Sequence, residues 1–425
     1  MVNLKNIAVA ATTLLAYAGA APFVSETGEF KTSAKTSKVI PGKYIITLKD
    51  GLQARDLDSH LDWVNGVHKR GLSASQFKGV ERTYNGKHIN FRGYAGHFDQ
   101  ATVAEIRKNP DVALVEADQV WELAFIDPAE EVVGIQQKRD LTTQTGAPWG
   151  LGTVSHRSKG STDYVYDTNA GAGTFAYVVD TGIVTTHEEF EGRAEAAFTA
   201  FPNDANVDTF GHGTHVAGTI AGKTFGVAKK AKIQAVKVFQ GSSSATSIIL
   251  AGYNWAVEDI IAKGRTGSAA INLSLGGPKS VSFNNVVDAA SKKGVLSIIA
   301  AGNESQDASR VSPASAESAV TVGALTKDWT MSYFSNWGTV LDIFAPGSDV
   351  NSAWIGSNSA TKSISGTSMA TPHVVGLALT AMSVDGVQGV DAVTKHLTGH
   401  GTKDKITGNI RGSPNVIGNN NRAGQ

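Results

Sequence analysis

The stretch from Gly366 to Met382 constrains the fold most: Gly-Thr-Ser-Met-Ala-Thr-Pro-His, then Val374-Val-Gly-Leu-Ala-Leu-Thr-Ala-Met382. A Gly-Thr-Ser turn feeds a helix that is apolar almost all round. A surface helix shows a polar face, so this one must be enclosed by other elements. With 425 residues, 41% of them hydrophobic, the chain can build such an enclosure and more than one folding unit. Pro372 lies in the first turn, where its missing N–H has no intrahelical partner anyway. Ser368 then sits at the positive end of a buried helix, beside backbone N–H groups that favour negative charge. Serine at such a position is most often only an N-cap, and the local pattern by itself leaves both roles open.

Charge and composition remove several classes. Lysine plus arginine equals aspartate plus glutamate at 38 each, and no basic tract points to nucleic acid. With no cysteine there can be no disulfide, no cysteine nucleophile and no cysteine-ligated zinc. Lys5 precedes the apolar run Ile7–Ala18, and Ala18-Gly-Ala20 follows with the small residues a signal peptidase requires. Residues 1–20 therefore read as a secretory signal. No later segment reaches the roughly 18 unbroken apolar residues of a membrane helix. The expected product is exported, with neither membrane nor nucleic acid as partner.

Along the chain, residues 22–40 carry no sustained apolar period. Tyr44–Leu48, His88–Phe98 and Val112–Val115 read as strands, with helices over Leu52–Lys69 and Ala101–Lys108. That β-α-β-α-β order predicts a small α+β, ferredoxin-like module over about residues 41–121. Leu123–Pro148 loses periodicity and reads as a linker, with Lys138-Arg139 as an exposed dibasic pair suited to proteolytic separation. From Trp149, strands (Thr174–Asp180, Ile233–Phe239, Ala269–Ser274, Val295–Ala300) alternate with helices (His212–Ala221, Thr246–Lys263, Phe283–Lys293). Alternation of this kind predicts an α/β fold, a parallel sheet flanked by helices. Functional residues collect beyond the carboxyl ends of such strands, where Asp180, Ser274 and Asn303 fall. The tail Asn415–Gln425 is polar and reads as loose.

Two further motifs join Ser368. Asp208-Thr-Phe-Gly-His212-Gly-Thr-His215 sets His212 between glycines at a helix start, and Val178-Val-Asp180 ends a hydrophobic strand in an acid. A zinc site on His212 and His215 is disfavoured, because the zinc-protease helix needs a glutamate and i, i+4 histidines. His215 reads as a hydrogen-bonded core histidine. Asp180, His212 and Ser368 have the residue types of an acylating triad: a serine activated by a base of suitable pKa, itself oriented by a carboxylate.

The order Asp, His, Ser and all three local motifs resemble the subtilisin family of serine proteases, in particular its fungal secreted, proteinase K-like branch. The resemblance spans about Asp140 to Gly412. It implies a subtilisin-like peptidase domain over residues 140–425, acting as a monomer on protein and peptide substrates with no cofactor for catalysis. It implies that Asp180 orients, that His212 is base then acid, and that Ser368 is the nucleophile. Asn303 in Ala300-Ala301-Gly302-Asn303 would form the oxyanion hole with the Ser368 N–H. Ser274-Leu275-Gly276-Gly277 would be one substrate edge and Ser242-Ser243-Ser244 the opposite one. The pocket for the residue before the cut would be lined by small, uncharged Ala300, Ala301 and Gly302 and favour bulky apolar side chains, with Glu304 the one acid nearby.

The N-terminal module resembles the family's propeptide, a chaperone and intramolecular inhibitor. Its last strand would lead the tail into the active site, and residues 21–139 (linker 122–139 included) would be removed. Asp342, with backbone carbonyls at Glu317 and Ala319, matches a calcium site of that branch. An esterase of the α/β-hydrolase type needs Gly-x-Ser-x-Gly, whereas this chain has Gly366-Thr-Ser368-Met-Ala370. A catalytically dead binding protein on the same scaffold would lack one of the four site residues, and none is missing.

Overall fold

The computed structural model describes residues 38–71, 76–123, 125–126 and 141–422. The expected signal segment, most of the polar leader and the dibasic Lys138-Arg139 lie outside the described residues.

The N-terminal unit runs β1 (Lys38–Leu48), α1 (Ala54–Arg70), β2 (Gly79–Gly86), β3 (Phe91–His97), α2 (Gln100–Lys108) and β4 (Val112–Glu122). Its strands pair antiparallel in the order β4-β1-β3-β2. Leu57 and Val64 of α1 and Val103 and Ile106 of α2 pack on Ile46, Leu48 and Tyr94 of the sheet. This is the ferredoxin-like order with one strand more than the sequence reading allowed. The missed strand is β2, where Val80 and Tyr84 are the apolar residues and a bulge between Val80 and Arg82 breaks their alternation.

In the second unit the described residues form a sheet in the spatial order Thr402–Lys403, Val416–Ile417, Ile343–Pro346, Val320–Leu325, Leu296–Ala300, Ala269–Leu273, Phe175–Asp180, Lys232–Lys237, Ala194–Thr199. All neighbours are parallel except the terminal pair Thr402–Lys403 and Val416–Ile417. Successive side chains point to opposite faces. Val178, Ala270, Ile298 and Val322 therefore meet the helices His212–Ala221 and Thr367–Val384 on one side. Tyr177, Val179, Ile271 and Ile299 meet Thr246–Ala262 and Val281–Ser291 on the other.

The Thr367–Val384 helix is buried from Thr367 to Met382, as its all-round apolarity requires, and because it starts at Thr367 the proline at 372 is its sixth residue, past the first turn in which the sequence reading put it. It lies against the His212 helix so closely that a Cβ on Gly376 would come within 2.5 Å of Val227 Cβ and 3.3 Å of the Ile220 carbonyl. This approach fixes the two helices that carry Ser368 and His212.

The two units share a sheet. Ser243–Ala245 adds antiparallel to β4 as its fifth strand. Glu116 accepts the Val281 and Ser282 N–H groups at 3.0 Å each, and Asp118 accepts the Ser247 N–H and hydroxyl at 3.1 and 2.6 Å. Each carboxylate thus caps the positive end of a helix in the other unit. Trp121 stacks on Phe283 with ring centroids 5.1 Å apart, and the Tyr84 hydroxyl donates to the Ser247 carbonyl at 2.9 Å.

Two expectations need correction. Leu141–Gln144, read as linker, is a strand paired with Tyr164–Asp167. The tail is docked as far as Arg422: Ile417 is fully buried, the Asn419 and Asn420 amides donate to the His156 and Val165 carbonyls at 3.0 and 2.7 Å, and Arg422 pairs with Asp385. Asparagine is polar in sequence yet serves here as a partner for buried backbone.

Gly376→Ala should lower unfolding free energy by about 1–3 kcal/mol through overpacking against Val227, read as a drop in melting temperature of the full chain.

Candidate active site

Phe175–Asp180 is a central strand with parallel neighbours on both sides, and Asp180 closes it. Its carboxylate is fully buried and meets His212 Nδ1 with both oxygens at 2.9 Å. The Thr181 N–H adds a bond of 2.7 Å to Oδ1. A buried carboxylate needs such partners. They also fix the imidazole with Nδ1 toward the acid, leaving Nε2, which has no hydrogen-bond partner among the described residues, as the acceptor for an incoming proton.

Ser368 is the second residue of its helix and 3% exposed. Its hydroxyl donates to the Ser274 carbonyl at 3.0 Å, while the Ser274 hydroxyl donates to the Ser368 carbonyl at 2.8 Å. Asn303 Oδ1 accepts the Thr367 N–H at 2.7 Å and the Thr367 hydroxyl at 2.9 Å. The amide oxygen is thereby committed to the residue before Ser368, and the NH2 end points the other way. Asn303, Gly302, Ala300, Leu275, Gly276, Thr367 and Ser368 line one pocket with Glu122 of β4.

Of the expected lining, Ala301 does not face this pocket. Strand alternation turns it to the cluster of Leu325, Trp329 and Phe344, and its carbonyl accepts from Asn336 Nδ2 at 2.9 Å. The same Nδ2 donates to Glu304 Oε2 at 2.8 Å, so that acid is engaged at the pocket's edge. The Ser242–Ser244 edge is taken by the chain itself: Ser243 and Ser244 pair with Glu122 and Trp121, and the Ser242 carbonyl accepts the Leu123 N–H at 2.7 Å.

His215 is fully buried and Nε2 donates to the Val350 and Lys362 carbonyls at 2.9 and 3.1 Å. Burial pulls its pKa down to about 3, so it is neutral and structural. Among the described residues no three histidines or acids converge as a metal site. Asp342 Oδ2 accepts the Thr321 N–H at 2.8 Å, two residues from Ala319, while Glu317 is exposed. Burial holds the Asp342 carboxyl up at about 6.

Sequence reasoning passed over Asp208. It is 3% exposed and accepts five hydrogen bonds: Thr181 Oγ1, Phe210 N–H and Gly211 N–H on Oδ1, Thr214 N–H and Thr214 Oγ1 on Oδ2, all between 2.7 and 2.9 Å. It thereby ties the residue after Asp180 to the turn that presents His212. Lys237, 1% exposed, donates to the Thr181 and Val207 carbonyls at 3.0 and 2.8 Å and braces the same turn. The only signal in sequence was an acid four residues before a glycine-flanked histidine.

Comparison with known proteins gives a consistent picture. A sequence model of the Subtilase family matches residues 171–418, and one of the Peptidase inhibitor I9 family matches residues 43–124. Alkaline protease 1 of Aspergillus clavatus is 54% identical over 394 residues, covering 91% of this chain and 93% of the relative. Alkaline proteinase of Hapsidospora chrysogena is 53% identical over 381 residues, covering 89% and 92%. A crystal structure of a cold-adapted subtilisin-like serine proteinase superposes with a TM-score of 0.60 at 40% identity, over 64% of this chain and 98% of that one.

Asp208→Ala strands three backbone N–H groups and should cost on the order of 3–5 kcal/mol, measured by denaturant unfolding. Asp208→Asn, which keeps one acceptor, should cost less.

Proposed function

Since the chain belongs to the subtilase family and is a serine endopeptidase with an I9 propeptide, we propose that it is exported as an inactive precursor and that Asp180, His212, Ser368 and Asn303 carry the chemistry. The observation that carries this assignment is the buried two-oxygen contact of Asp180 on His212 Nδ1, beside a serine at a helix mouth flanked by an oriented asparagine. In this reading the Ser368 hydroxyl, now on the Ser274 carbonyl, would turn about its Cα–Cβ bond to His212 Nε2. The oxygen then attacks the scissile carbonyl as Nε2 takes its proton, and Asp180 stabilises the imidazolium. The Asn303 NH2 and the Ser368 N–H, at the positive end of the helix, would hold the oxyanion. His212 returns the proton to the leaving amine, and water releases the acyl group by the reverse path.

Small residues (Gly276, Ala300, Gly302) around the pocket and the engagement of Glu304 with Asn336 favour bulky apolar side chains before the cut. The apolar run Ile7–Ala18 supports secretion, and the formal net charge of zero accords with no nucleic-acid partner. No described helix is long and apolar enough to cross a membrane. In our reading the enzyme is a monomer, and residues 21–139 are removed in maturation.

We also assign calcium to Asp342 as a structural ion, with carbonyls of Glu317 and Ala319 and water completing an oxygen shell. A half-buried carboxylate raised by desolvation fits a cation. Calcium takes no part in bond breaking.

In Ser368→Ala the precursor should stay uncut and peptide hydrolysis should fall on the order of 10⁶-fold in kcat, a magnitude known within the family rather than obtained from this geometry. Mass spectrometry of the chain and a peptide-library digest test both, and persistent cleavage would remove the nucleophile. Millimolar calcium should raise the melting temperature over that in chelator, and in Asp342→Asn the two curves should coincide.

A further inference from the structure

Pro372 leaves a gap in the hydrogen bonding of the nucleophile's own backbone. Within a helix the carbonyl of residue i accepts the N–H of residue i+4. For Ser368 that residue is Pro372, inside the Thr367–Val384 helix, and proline has no N–H to give. Its ring also crowds the carbonyl four residues back. The Ser368 carbonyl, on a residue 3% exposed, therefore takes its donor from outside its own helix.

Ser274 supplies that donor. Its hydroxyl donates to the Ser368 carbonyl at 2.8 Å, and Asn272 Nδ2 lies 2.9 Å from the same hydroxyl oxygen. A hydroxyl has a single proton, and a carbonyl can only accept. The proton thus goes to Ser368, and the amide must present its NH2 end to Ser274. This fixes the direction of the chain from Asn272 through Ser274 to Ser368. Both Asn272 and Ser274 are fully buried, at the carboxyl end of the strand Ala269–Leu273. On the other flank Asn303 Oδ1 holds the Thr367 N–H, and the Gly302 N–H donates to the Thr367 hydroxyl at 3.2 Å. The ends of two neighbouring parallel strands, Ala269–Leu273 and Leu296–Ala300, thereby grip the backbone on either side of Ser368.

We propose that Ser274 is a positioning residue for hydrolysis: its hydroxyl, oriented by Asn272, stands in for the N–H that Pro372 lacks and fixes the nucleophile's backbone on the carbonyl side. The inference rests on the reading of Ser368 as nucleophile given above. The Asn303 bonds fix the peptide before Ser368, and the Ser274 bond fixes the peptide after it. Together the two peptides set where the Ser368 Cα–Cβ bond points, and so how its Oγ meets His212 Nε2. Replacing the Ser274 side chain leaves its backbone carbonyl, on the expected substrate edge, in place. Position of the nucleophile and binding of substrate can therefore be separated. An N–H restored at residue 372 would make the Ser274 hydroxyl dispensable.

Enzyme matured from the full-length precursor is counted by the burst of a slowly deacylating ester, and kcat and KM per active site are measured on a peptide substrate. Ser274→Ala should lower kcat about 10- to 100-fold, the size of loss a misplaced reacting group brings, and leave KM within about twofold. Pro372→Ala should stay active, and adding Ser274→Ala to it should cost less than about threefold in kcat, the coupling expected of two groups that serve one carbonyl. Should Ser274→Ala alone yield no titratable enzyme, the double variant should restore it. The positioning role is overturned by a Ser274→Ala kcat within about twofold of wild type or by a loss carried in KM instead. It is equally overturned by an inactive Pro372→Ala, by a loss as large with alanine at 372 as with proline, or by a double variant that restores nothing. Each of these leaves Ser368 as nucleophile so long as Ser368→Ala is inactive; an active Ser368→Ala would bring down both.

Discussion

Everything at this site depends on burying one carboxylate beside one imidazole. Asp180 is fully enclosed, and an ionised carboxylate in that setting survives only with hydrogen-bond donors on its oxygens. The strand end and helix start provide them, because Asp208 and Lys237 hold the backbone at Thr181 and ahead of His212 in one arrangement. Low polarity around the pair makes its electrostatics stronger than in water and leaves the imidazole little freedom to reorient. The acid orients the base, and a second buried acid orients the turn that brings them together. Remove the second, and the first loses its geometry without being touched.

The same physical devices join the precursor's two units. A helix start carries unsatisfied N–H groups and partial positive charge, and the helices at Thr246 and Val281 expose theirs toward the N-terminal unit. Glu116 and Asp118 answer both from one strand. Alternate residues of β4 therefore bind, and the rest of that strand lies along the substrate edge. Affinity and occlusion are one feature: capping the helices sets the register in which the chain's own segment fills the cleft. Asp118 has its carboxyl pushed up by burial, with bonds to Ser247 and its own strand working against that shift. The two Ser247 bonds that offset the burial exist only while the two units are together.

How much of this was legible in the sequence varied with how local the constraint is. Asp180, His212, Asn303 and Ser368 each stand at a strand end or helix start marked by glycine, so their setting could be read within a few residues. The enclosed helix after Ser368 announced itself by lacking a polar face. Strand β2 hid because a bulge destroys the period that reveals a strand. Ala301 was misplaced because a motif names a neighbourhood, whereas the pleat decides which neighbour faces the pocket. The ring contacts of Phe125 were out of reach, since Phe210 and Trp354 are remote from it in sequence. Asp208 was in view but indistinct: a carboxylate near a glycine turn is commonplace until five donors are seen to converge on it.

The absence of cysteine shifts a burden onto polar contacts at the C-terminus. Asn419 and Asn420 bind carbonyls at residues 156 and 165, Arg157 reaches the His400 carbonyl at 3.1 Å and Asn421 at 2.8 Å, and Arg422 forks onto Asp385 at 3.1 and 3.2 Å. These contacts close nearly the whole catalytic unit into a ring, as a cross-link would, but through the folded state alone. A covalent bridge over so long a loop would constrain the unfolded chain by about 5 kcal/mol, whereas each neutral hydrogen bond contributes roughly 0.5–1.5 kcal/mol and nothing once broken. Fraying of the tail would therefore release several bonds together and pull Val416–Ile417, with its fully buried Ile417, from between Thr402–Lys403 and Ile343–Pro346, leaving an open sheet edge. For an enzyme that cuts extended chain, an exposed edge is also a substrate. Retention of the C-terminal segment thus rests on how rarely these asparagine and arginine contacts open.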